Sequence, residues 1–548
     1  MSAKFISLWR FLLVGLCLIT FTGSAQPIGL ATPAIDPQAC APLPPPSGNI
    51  VSVATVEDLV DAVNSATSGR TILIANGTYN LDGEYLRIDV PNVTLRSASG
   101  NREAVILDGN YATTEIIQIA ASNVTVADLT LREAYYHPVH VMTGDAAHTL
   151  NTLIYNVHIV DPGEQAIKIN PATSGYYTDN GVIACSHIEL TDAGRPHIRN
   201  NCYTGGVDAH QSRNWIIRDN LIEGFWCSSG LSEHGIHLWR GCRDTTVERN
   251  TLKNNARGIG FGLTTDPGGR TYPDNPCPAA SGYVDDFGGV IRNNFVYASN
   301  NSLFISEYGF DCGICAWNSC HARILHNTVY STDPAHTFSS IEWRFPNTTA
   351  TLTNNLVNAQ MRERDGAHGT LSGSLTNAQA TWFANASTGD LHLRSTAVTV
   401  IDQVTAPVEA SDDIDGDPRP IGSRSDVGAD EYGIPAPSAV NDLRVTHAVT
   451  ASNVLTATLR WTPPANALTT TLRYSGTLIT AANWNEATLL TNSLSGTAAI
   501  FTTTVPYQAG LAYFALKAQN ETGWSALSNN AFWPQQLVYL PVIFKTNP

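Results

Sequence analysis

Six short segments with one shared alternation of apolar and variable residues constrain this chain more than any other feature. In a strand, the apolar residues of such a segment face one side and the variable residue faces the other. The segments recur at irregular intervals of about 20–45 residues, which suits a stacked solenoid with loops of varied length. They are Ala166–Asn170, Gly206–His210, Gly235–Trp239, Gly258–Gly262, Leu303–Ser306 and Ser340–Arg344.

Stacked in register, these segments predict two columns of outward side chains on rungs about 4.8 Å apart. The first column is Lys168, Asp208, His237 and Gly260, and the second is Asn170, His210, Trp239 and Gly262. Charged, imidazole and aromatic groups followed by glycines are typical of a groove for an extended chain. We therefore expect a binding strip in which the glycines leave room for the ligand.

A second repeat places an asparagine near the centre of the segment that follows each of these strands. A buried asparagine at a turn can bond to the asparagine of the next rung, which satisfies an amide that is otherwise costly to bury. The repeat therefore supports the stacking. Its members are Asn156, Asn220, Asn250, Asn294, Asn327 and Asn355.

Both repeats resemble those of the right-handed parallel β-helix proteins of the pectate-lyase-like superfamily. The resemblance covers residues 49–432 and implies an all-β chain built on a right-handed parallel β-helix. That fold hosts lyases, hydrolases, epimerases and adhesins, so the resemblance alone fixes no activity.

The region after the predicted solenoid changes pattern. A linker at 433–437 precedes short alternating strands with a central Trp461, and residues 438–532 resemble a fibronectin type III sandwich. The tail at 533–548 is apolar but too short to span a membrane. Upstream, Asp412, Asp415 and Asp417 lie in a segment that resembles the C-terminal segment of many bacterial β-helix proteins. This segment is interpreted as a turn that caps the solenoid, with calcium binding as the alternative.

The N-terminal residues predict export. Lys4 and Arg10 precede the apolar run Phe11–Phe21, and residues 1–25 are interpreted as a signal peptide. Residues 26–48 are rich in proline and are interpreted as a linker. We therefore expect a secreted, extracellular protein, with association to a cell surface left open. No other stretch predicts a transmembrane segment, and we expect a monomer.

Nine cysteines remain after the predicted signal peptide, and in an exported chain they are expected to be mostly paired. We predict that Cys185, Cys202, Cys227 and Cys242 lie mainly in disulfides that tie loops beside the groove. The odd count leaves one thiol over. The alternative is a zinc site that combines the pair Cys312 and Cys315 with Cys320 and His321.

The charge distribution bears on the partner. The formal net charge of −16 argues against nucleic acid as a ligand. Residues 185–270 carry ten basic against nine acidic residues and five of the 15 histidines, so the zone of the predicted groove is much less acidic than its surroundings. A local basic zone favours an anionic ligand. The predicted partner is an anionic polysaccharide.

The segment Gly206-Val-Asp208-Ala-His210 resembles the Gly-apolar-Asp-Pro-His core of alginate C5-epimerases. Those enzymes and related lyases use Asp, His, Lys and Tyr around a uronate. The resemblance carries Asp208 and His210 over directly, with Lys168 on the preceding rung as the lysine. Ala209 stands where the family has proline, and Gly205 where it has tyrosine, which leaves Tyr203 as a displaced match.

Removal of the C5 proton of a uronate needs a neutralised carboxylate, a base and a group that delivers a proton. Lys168 or Arg257 is expected to neutralise the carboxylate, His210 or Lys168 to be the base, and Tyr203 the acid, with Asp208 orienting one of them. The predicted catalytic residues are Lys168, Tyr203, Asp208, His210 and His237. The predicted substrate-binding residues are His140, Asn170, Glu233, His234, Trp239, Arg240 and Arg257.

The sequence favours a polysaccharide lyase acting on a uronate polymer by β-elimination. The alternatives are a C5-epimerase, a non-catalytic glycan-binding protein or adhesin, and a glycoside hydrolase, which needs two carboxylates flanking the bond. Asp208 would pair with Glu233, Glu307 or Glu342 in the hydrolase, although Glu342 lies four rungs away. No metal ligand or cofactor is assigned from sequence, and calcium is left open.

Overall fold

The computed structural model describes residues 40–451, 453–507, 510–520 and 522–534. The predicted signal peptide, the linker up to residue 39 and the tail after residue 534 lie outside the described residues. Within the described part of the chain, no helix has the length and apolar character needed to cross a membrane.

Most of the described chain forms an all-β, right-handed parallel β-helix, as the repeats predict. Three long parallel sheets run along it, and consecutive rungs pair in register. We call the sheet that carries Lys168 the site sheet. Its strands are Leu86–Ile88, Glu115–Ile119, His137–Met142, Gln165–Asn170, Gly205–His210, His234–Trp239, Arg257–Phe261, Phe310–Trp317, Thr337–Arg344 and Met361–Arg364.

The other two long sheets supply the remaining sides of each rung. The second sheet consists of Asn49–Val53, Arg70–Ile74, Thr94–Ser97, Thr125–Ala127, Leu153–Tyr155, Val182–Ala184, Ile216–Arg218, Thr246–Glu248, Val290–Arg292, Ala322–Leu325, Thr349–Thr353 and His368–Ser372. The third sheet consists of Gly77–Asn80, Val105–Asp108, Thr130–Arg132, His158–Val160, His187–Glu189, Leu221–Glu223, Thr251–Lys253, Phe295–Ala298, Thr328–Ser331 and Leu356–Val357.

Short elements complete the coil. The helix Val56–Asn64 begins at Thr55, whose side chain accepts from the amide of Asp58 (3.1 Å), and packs against the first rungs. The other helices are Asn301–Phe304 and the 3-10 turns Arg102–Ala104, Arg195–His197, Pro334–His336, Ala380–Trp382, Val408–Ala410 and Trp484–Glu486. Short strands are Thr149–Leu150 with Thr178–Asp179, Cys242–Arg243 with Asp286–Phe287 and Ser319–Cys320, and Phe383–Asn385 with Asp390–Leu393.

The core lies inside the coil as stacks of aliphatic side chains. On the site sheet Ile167, Val207, Ile236 and Ile259 are aligned on successive strands and fully buried. Burial of each such side chain stabilises the fold by about 1.5–3 kcal/mol. The alternation of these residues with Lys168, Asp208 and His237 fixes the register, because a slip by one residue would bury the charges.

A buried asparagine ladder runs along one turn of the coil, as predicted. The side-chain amide of each member donates to the side-chain oxygen of the next, at distances between 2.9 and 3.1 Å. Its members are Asn220, Asn250, Asn294, Asn327 and Asn355.

The prediction for Asn156 is wrong. Its amide donates to Asp128 (2.8 Å), and it occupies the left-handed turn position (φ 51°) one residue before the ladder. Asp219 takes that position on a later rung (φ 57°). The ladder position of that turn is Val157, which has no side-chain amide. The ladder therefore starts at Ser186, whose backbone N–H donates to Asn220 Oδ1 (2.9 Å).

The predicted strand Leu303–Ser306 is also wrong. Asn300 caps a helical turn there by accepting from the backbone amides of Ser302 (2.8 Å) and Leu303 (3.4 Å). The strand that follows Arg257–Phe261 in the site sheet is Phe310–Trp317, which aligns Ile314 with Ile259 and Cys315 with Gly260. An N-capping asparagine decided the local structure against a short apolar run.

The cysteines pair as Cys40–Cys185, Cys202–Cys227, Cys277–Cys320 and Cys312–Cys315. The prediction that Cys242 is bridged is wrong, because this thiol is free and fully buried beneath the site sheet's edge. It contacts Ser212 Oγ and the carbonyl of Ala209, both at 3.3 Å. The four disulfides occupy the cysteines that the zinc alternative required.

The acidic segment before residue 432 is folded against the coil. Asp413 accepts from the backbone amides of Asp415 (2.9 Å) and Asp417 (2.8 Å). The Asp412 carboxylate accepts hydrogen bonds from the guanidinium groups of Arg249 (2.8 Å) and Arg292. Among the described residues, Asp412, Asp415 and Asp417 do not converge on one point as metal ligands would. These contacts attach the segment to the coil at Arg249 and Arg292, and a cap over the end of the solenoid stays a prediction.

Within the described residues after Gly433, the chain forms two antiparallel sheets. One contains Arg444–Ala451, Val454–Arg460 and Ile500–Pro506, and the other contains Thr488–Ser495, Thr469–Ser475, Ala512–Gln519 and Ala531–Trp533. Trp461, Leu472 and Phe514 are buried in a core that side chains of both sheets share. This is compatible with a small β-sandwich, and the closer resemblance to fibronectin type III stays a prediction.

Candidate active site

The site sheet brings the predicted first column together. Lys168 pairs with Asp208 across neighbouring strands, Asp208 with His237, and His237 with Gly260. Of the second column, His210 and Trp239 are aligned on neighbouring strands, whereas Gly262 follows the end of the strand Arg257–Phe261. These side chains point away from the apolar core, yet Asp208 and His237 are completely buried because loops and neighbouring side chains cover them.

Lys168 is the centre of the cluster. Its ammonium contacts the Asp208 carboxylate and donates to Tyr203 Oη at 3.1 Å. It also lies 3.2 Å from His210 Nε2. Burial works to lower the pKa of Lys168, but Asp208 and Tyr203 outweigh it, so the pKa is raised. This charge state argues against the alternative in which Lys168 is the base.

Asp208 holds the cluster together from below. Its Oδ1 accepts from the Trp239 indole at 2.7 Å, and its Oδ2 faces both Lys168 and His210 Nε2, the latter at 3.2 Å. Burial opposes its ionisation, yet the Lys168 ammonium above all, together with the neighbouring His210, holds the pKa of Asp208 well below the usual range. Asp208 is therefore a fixed anion that orients its neighbours.

His210 reaches the edge of the cluster. Its side chain keeps 14% of its surface exposed, and Nδ1 has no hydrogen-bond partner within the described residues. Burial lowers the pKa of His210 against the opposing charge of Asp208. The ring is therefore neutral near pH 7. Because an ammonium can only donate, the contact with Lys168 makes Nε2 the acceptor nitrogen of the neutral ring.

Tyr203 contacts Lys168, although it lies two residues before Gly205, the position at which the alginate C5-epimerases have their tyrosine. It follows Cys202, and the Cys202–Cys227 disulfide ties its loop to the loop after the next rung. The left-handed backbone of Asn201 and Cys202 (φ 52° and 67°) turns the chain toward the site. Burial and then the charge of Asp208 raise the pKa of Tyr203, which keeps the hydroxyl protonated.

Trp239 covers the buried side of the cluster. Its ring stacks on His237 (5.2 Å between centroids, 5° between planes) and meets the edge of His210 (4.6 Å). The guanidinium of Arg240 lies over the other part of the indole, 4.6 Å from its centroid. Since 92% of Trp239 is buried, it supports the site from within more than it offers a face to a sugar.

Two predicted cations differ in availability. Arg257 is bound to Asp311 (2.8 Å) and packs on Trp317, so its charge is already neutralised. Arg240 has no acidic partner within salt-bridge distance among the described residues. Arg240 is therefore the cation beside the cluster that remains available for a substrate carboxylate.

The glycines do not leave the predicted room. A side chain at Gly260 would meet the ring of His234 at 2.6 Å, so the histidine fills that space. Gly262 has a left-handed backbone (φ 73°), and its position lies against the carbonyl of Trp317. Glycine is required at both places for packing, and the expected ligand space beside them is occupied.

His140 and Asn170 extend the cluster along the sheet toward its N-terminal rungs. His140 Nε2 meets Asn170 Oδ1 at 2.5 Å, and its Nδ1 meets Glu115 at 2.8 Å. Nearby, Asn200 donates to Glu164 (2.5 Å). Sequence reasoning missed Glu115 and Glu164, although Glu115 stands in a strand that aligns with His140's strand.

Glu233, His234 and His237 form a second group next to the first. Glu233 Oε2 lies 3.0 Å from His237 Nδ1 and 4.0 Å from His234 Nδ1. Burial lowers the pKa of His234 well below its usual value. The remaining hydrolase candidates lie apart: Glu342 is bound by Arg364 (3.0 Å), and Glu307 accepts from Ser229 (3.0 Å).

Comparison with solved structures finds other proteins with similar backbones. A pectate lyase matches at 12% identity, covering 71% of this chain and 97% of its own, with a TM-score of 0.48. An alginate lyase from a Paenibacillus species matches at 16% identity over 60% and 99%, with a TM-score of 0.40. A tailspike protein of Escherichia coli bacteriophage HK620, in complex with a pentasaccharide, matches at 11% identity over 87% and 86% (TM-score 0.37).

No protein-family model and no curated protein matches the chain. Identities at this level describe no shared chemistry, so the reaction has to be argued from the side chains themselves.

Proposed function

We propose that this protein is a secreted polysaccharide lyase that cleaves an anionic, uronate-containing polymer by β-elimination. The observation that carries the proposal is the convergence of Tyr203, Asp208 and His210 on the ammonium of Lys168. Four residues from two strands and a loop meet there, and three of them are strongly buried. Perturbed titratable groups clustered in this way are typical of catalytic sites.

In the proposed reaction, Arg240 neutralises the substrate carboxylate, which acidifies the C5 proton. His210, as the neutral imidazole, takes that proton, the C4–C5 double bond forms and the C4–O4 bond breaks. Tyr203 delivers its proton to the leaving O4. Asp208 holds the Lys168 ammonium and the His210 ring in place, and the raised pKa of Tyr203 keeps it a proton donor.

The placement of the two proton-transferring groups favours elimination over epimerisation. Tyr203 Oη and His210 Nε2 lie 3.1 and 3.2 Å from the same nitrogen, so both approach the sugar from one side. Elimination is compatible with a base and an acid on one face when the C5 hydrogen and O4 share that face. An epimerase instead needs proton transfer at opposite faces of C5.

The carboxylates of the site fit glycoside hydrolysis less well than they fit elimination. A glycosidase needs one carboxylic acid that stays protonated and a second carboxylate across the bond. Asp208 is fully buried with a lowered pKa, so it cannot donate a proton. Glu342 lies four rungs away from Asp208 and is bound by Arg364.

The four disulfides in the described residues fit an oxidising compartment, which supports secretion.

A screen of uronate polymers tests the proposal, with neutral glycans as controls. The expected product has a C4–C5 double bond, visible by its ultraviolet absorbance, and His210→Gln and Tyr203→Phe lower its rate of formation by about 10²–10⁴. Cleavage without unsaturation would indicate hydrolysis. Changed C5 configuration without cleavage would indicate an epimerase, and binding without turnover a glycan-binding protein.

A further inference from the structure

The group formed by Glu233, His234 and His237 contains polar atoms that the protein leaves without partners. Glu233 Oε2, both ring nitrogens of His234 and His237 Nδ1 are buried and have no hydrogen-bond partner among the described residues. Both histidines are completely buried, and Glu233 keeps 16% of its side chain exposed. Buried polar atoms almost always have partners, so four orphaned atoms in one place indicate a missing ligand.

The tautomer of His237 also indicates a missing cation. Its Nε2 lies 3.3 Å from the carbonyl of Gly262, an oxygen that can only accept, so Nε2 carries the proton. With this one proton on the ring, Nδ1 presents a lone pair 3.0 Å from an oxygen of Glu233. Two lone pairs at that distance repel each other unless a cation lies between them.

A metal ion fits this contact better than a proton does. The Glu233–His237 contact lacks the alignment of a hydrogen bond, although the distance is short. An ion about 2.1 Å from each atom would lie off the line that joins them. The ligand atoms of Glu233, His234 and His237 all lie within 4.8 Å of one another, so small side-chain rotations bring the three onto one ion.

We propose that Glu233, His234 and His237 bind a divalent transition-metal ion of the zinc class. Two imidazoles and one carboxylate are a ligand set that zinc commonly takes, with a fourth position left for water. The Gly262 carbonyl would act as the outer partner that fixes the ring of His237. The ion would lie two rungs from Lys168, beside the strand that carries Trp239, and hold the stack on which the proposed active site rests.

Another histidine–carboxylate group in the described residues lacks these features. His158 bonds through both ring nitrogens, to Glu103 (3.1 Å) and Glu189 (2.9 Å), and His187 bonds to Glu223 (2.8 Å). Its nitrogens are satisfied by the protein itself. It therefore provides a matched control for unspecific binding by partly buried histidines.

Metal content tests the proposal without an activity assay, so its outcome is independent of the proposed function. The full secreted chain is stripped with a chelator, titrated with Zn²⁺ by calorimetry and analysed by mass spectrometry for bound metal. We expect one zinc ion per chain, and a Co²⁺ form with visible absorption bands. Glu233→Gln and His234→Asn should lower the zinc affinity about 10-fold or more, while His187→Asn should not.

Glu233→Gln preserves shape, and circular dichroism verifies that each variant is folded. Failure of the wild-type chain to bind stoichiometric zinc would overturn the proposal. Equal affinity in wild type and in Glu233→Gln would overturn it as well, as would binding of Ca²⁺ in preference to Zn²⁺. A chain that binds zinc but cleaves no polymer would uphold the metal site and reject the proposed function.

Discussion

The ammonium of Lys168 and the carboxylate of Asp208 form an ion pair on adjacent strands, with 8% and 1% of their side chains exposed. The pair lies on the outer face of a coil whose inner face is aliphatic. A buried ion pair gives little net stability, but loss of one partner leaves an uncompensated charge. The pair is thus a structural liability unless it serves the site around it.

A double-mutant cycle tests this coupling. Lys168→Met removes the cation from beside Asp208, and Asp208→Asn removes the anion from beside Lys168. Each single variant should lower the free energy of unfolding by about 3–5 kcal/mol. The double variant should lose clearly less than the sum, since no charge is left unpaired. Denaturant unfolding monitored by circular dichroism measures all four proteins, and additive losses would contradict the coupling.

The Cys202–Cys227 disulfide is expected to act on activity through Tyr203. Replacing both cysteines by serine frees the loop that carries the tyrosine, so turnover should fall toward that of Tyr203→Phe while the β-helix stays folded. A Cys277→Ser, Cys320→Ser variant is the matched control, because that bridge joins residues away from Lys168. Equal loss of turnover in both pairs would argue against a specific role for the Cys202 loop.

The fold could be predicted from sequence because its signals are periodic. Ile167, Val207 and Ile236 repeat the same inward position, and the register they impose also aligns Lys168, Asp208 and His237. The ladder from Asn220 to Asn355 followed for the same reason. Strand and ladder predictions failed at Leu303–Ser306 and Asn156, where an N-cap and a one-residue offset in a turn decide the local structure.

The chemistry of the site was less predictable, because it depends on contacts across loops. Nothing in the local sequence reveals that His234 fills the space beside Gly260, or that Asp311 neutralises Arg257 while Arg240 stays unpaired. Burial could not be predicted either: Asp208 is an outward residue by alternation and yet is almost completely buried. Covering loops of irregular length decide such features, and their paths carry no periodic signal.

The asparagine ladder should contribute strongly to stability. Asn294 donates to Asn327 (2.9 Å) and accepts from the amide of Asn250 (3.0 Å), all within the buried turn. Asn294→Ala leaves several buried groups unsatisfied, at about 1–3 kcal/mol each. The exposed Asn301 in the same coil provides the control, since Asn301→Ala should change stability by less than about 0.5 kcal/mol. Chemical unfolding of both variants makes the comparison, and similar losses would refute the role of the ladder.

The last prediction concerns the protonation of His210. Its ring faces Lys168, Asp208 and the edge of Trp239, and burial lowers its pKa despite the anion beside it. We therefore expect the His210 ring to titrate below about pH 6.5, the value of an unperturbed histidine. Nuclear magnetic resonance of the histidine rings measures this, with His210→Gln assigning the signal.

The lowered pKa of His210 also makes the stability of the folded protein depend on pH. Below about pH 6.5 the unfolded chain binds a proton at His210 that the folded chain does not, so stability falls as pH falls. His210→Gln should reduce this loss between pH 6.5 and the lower folded-state pKa. For activity, the acidic limb of kcat/KM should lie below pH 6.5, because the base stays unprotonated to lower pH. An acidic limb and a ring titration that both lie above pH 7 would show that His210 is cationic at neutral pH and is not the base.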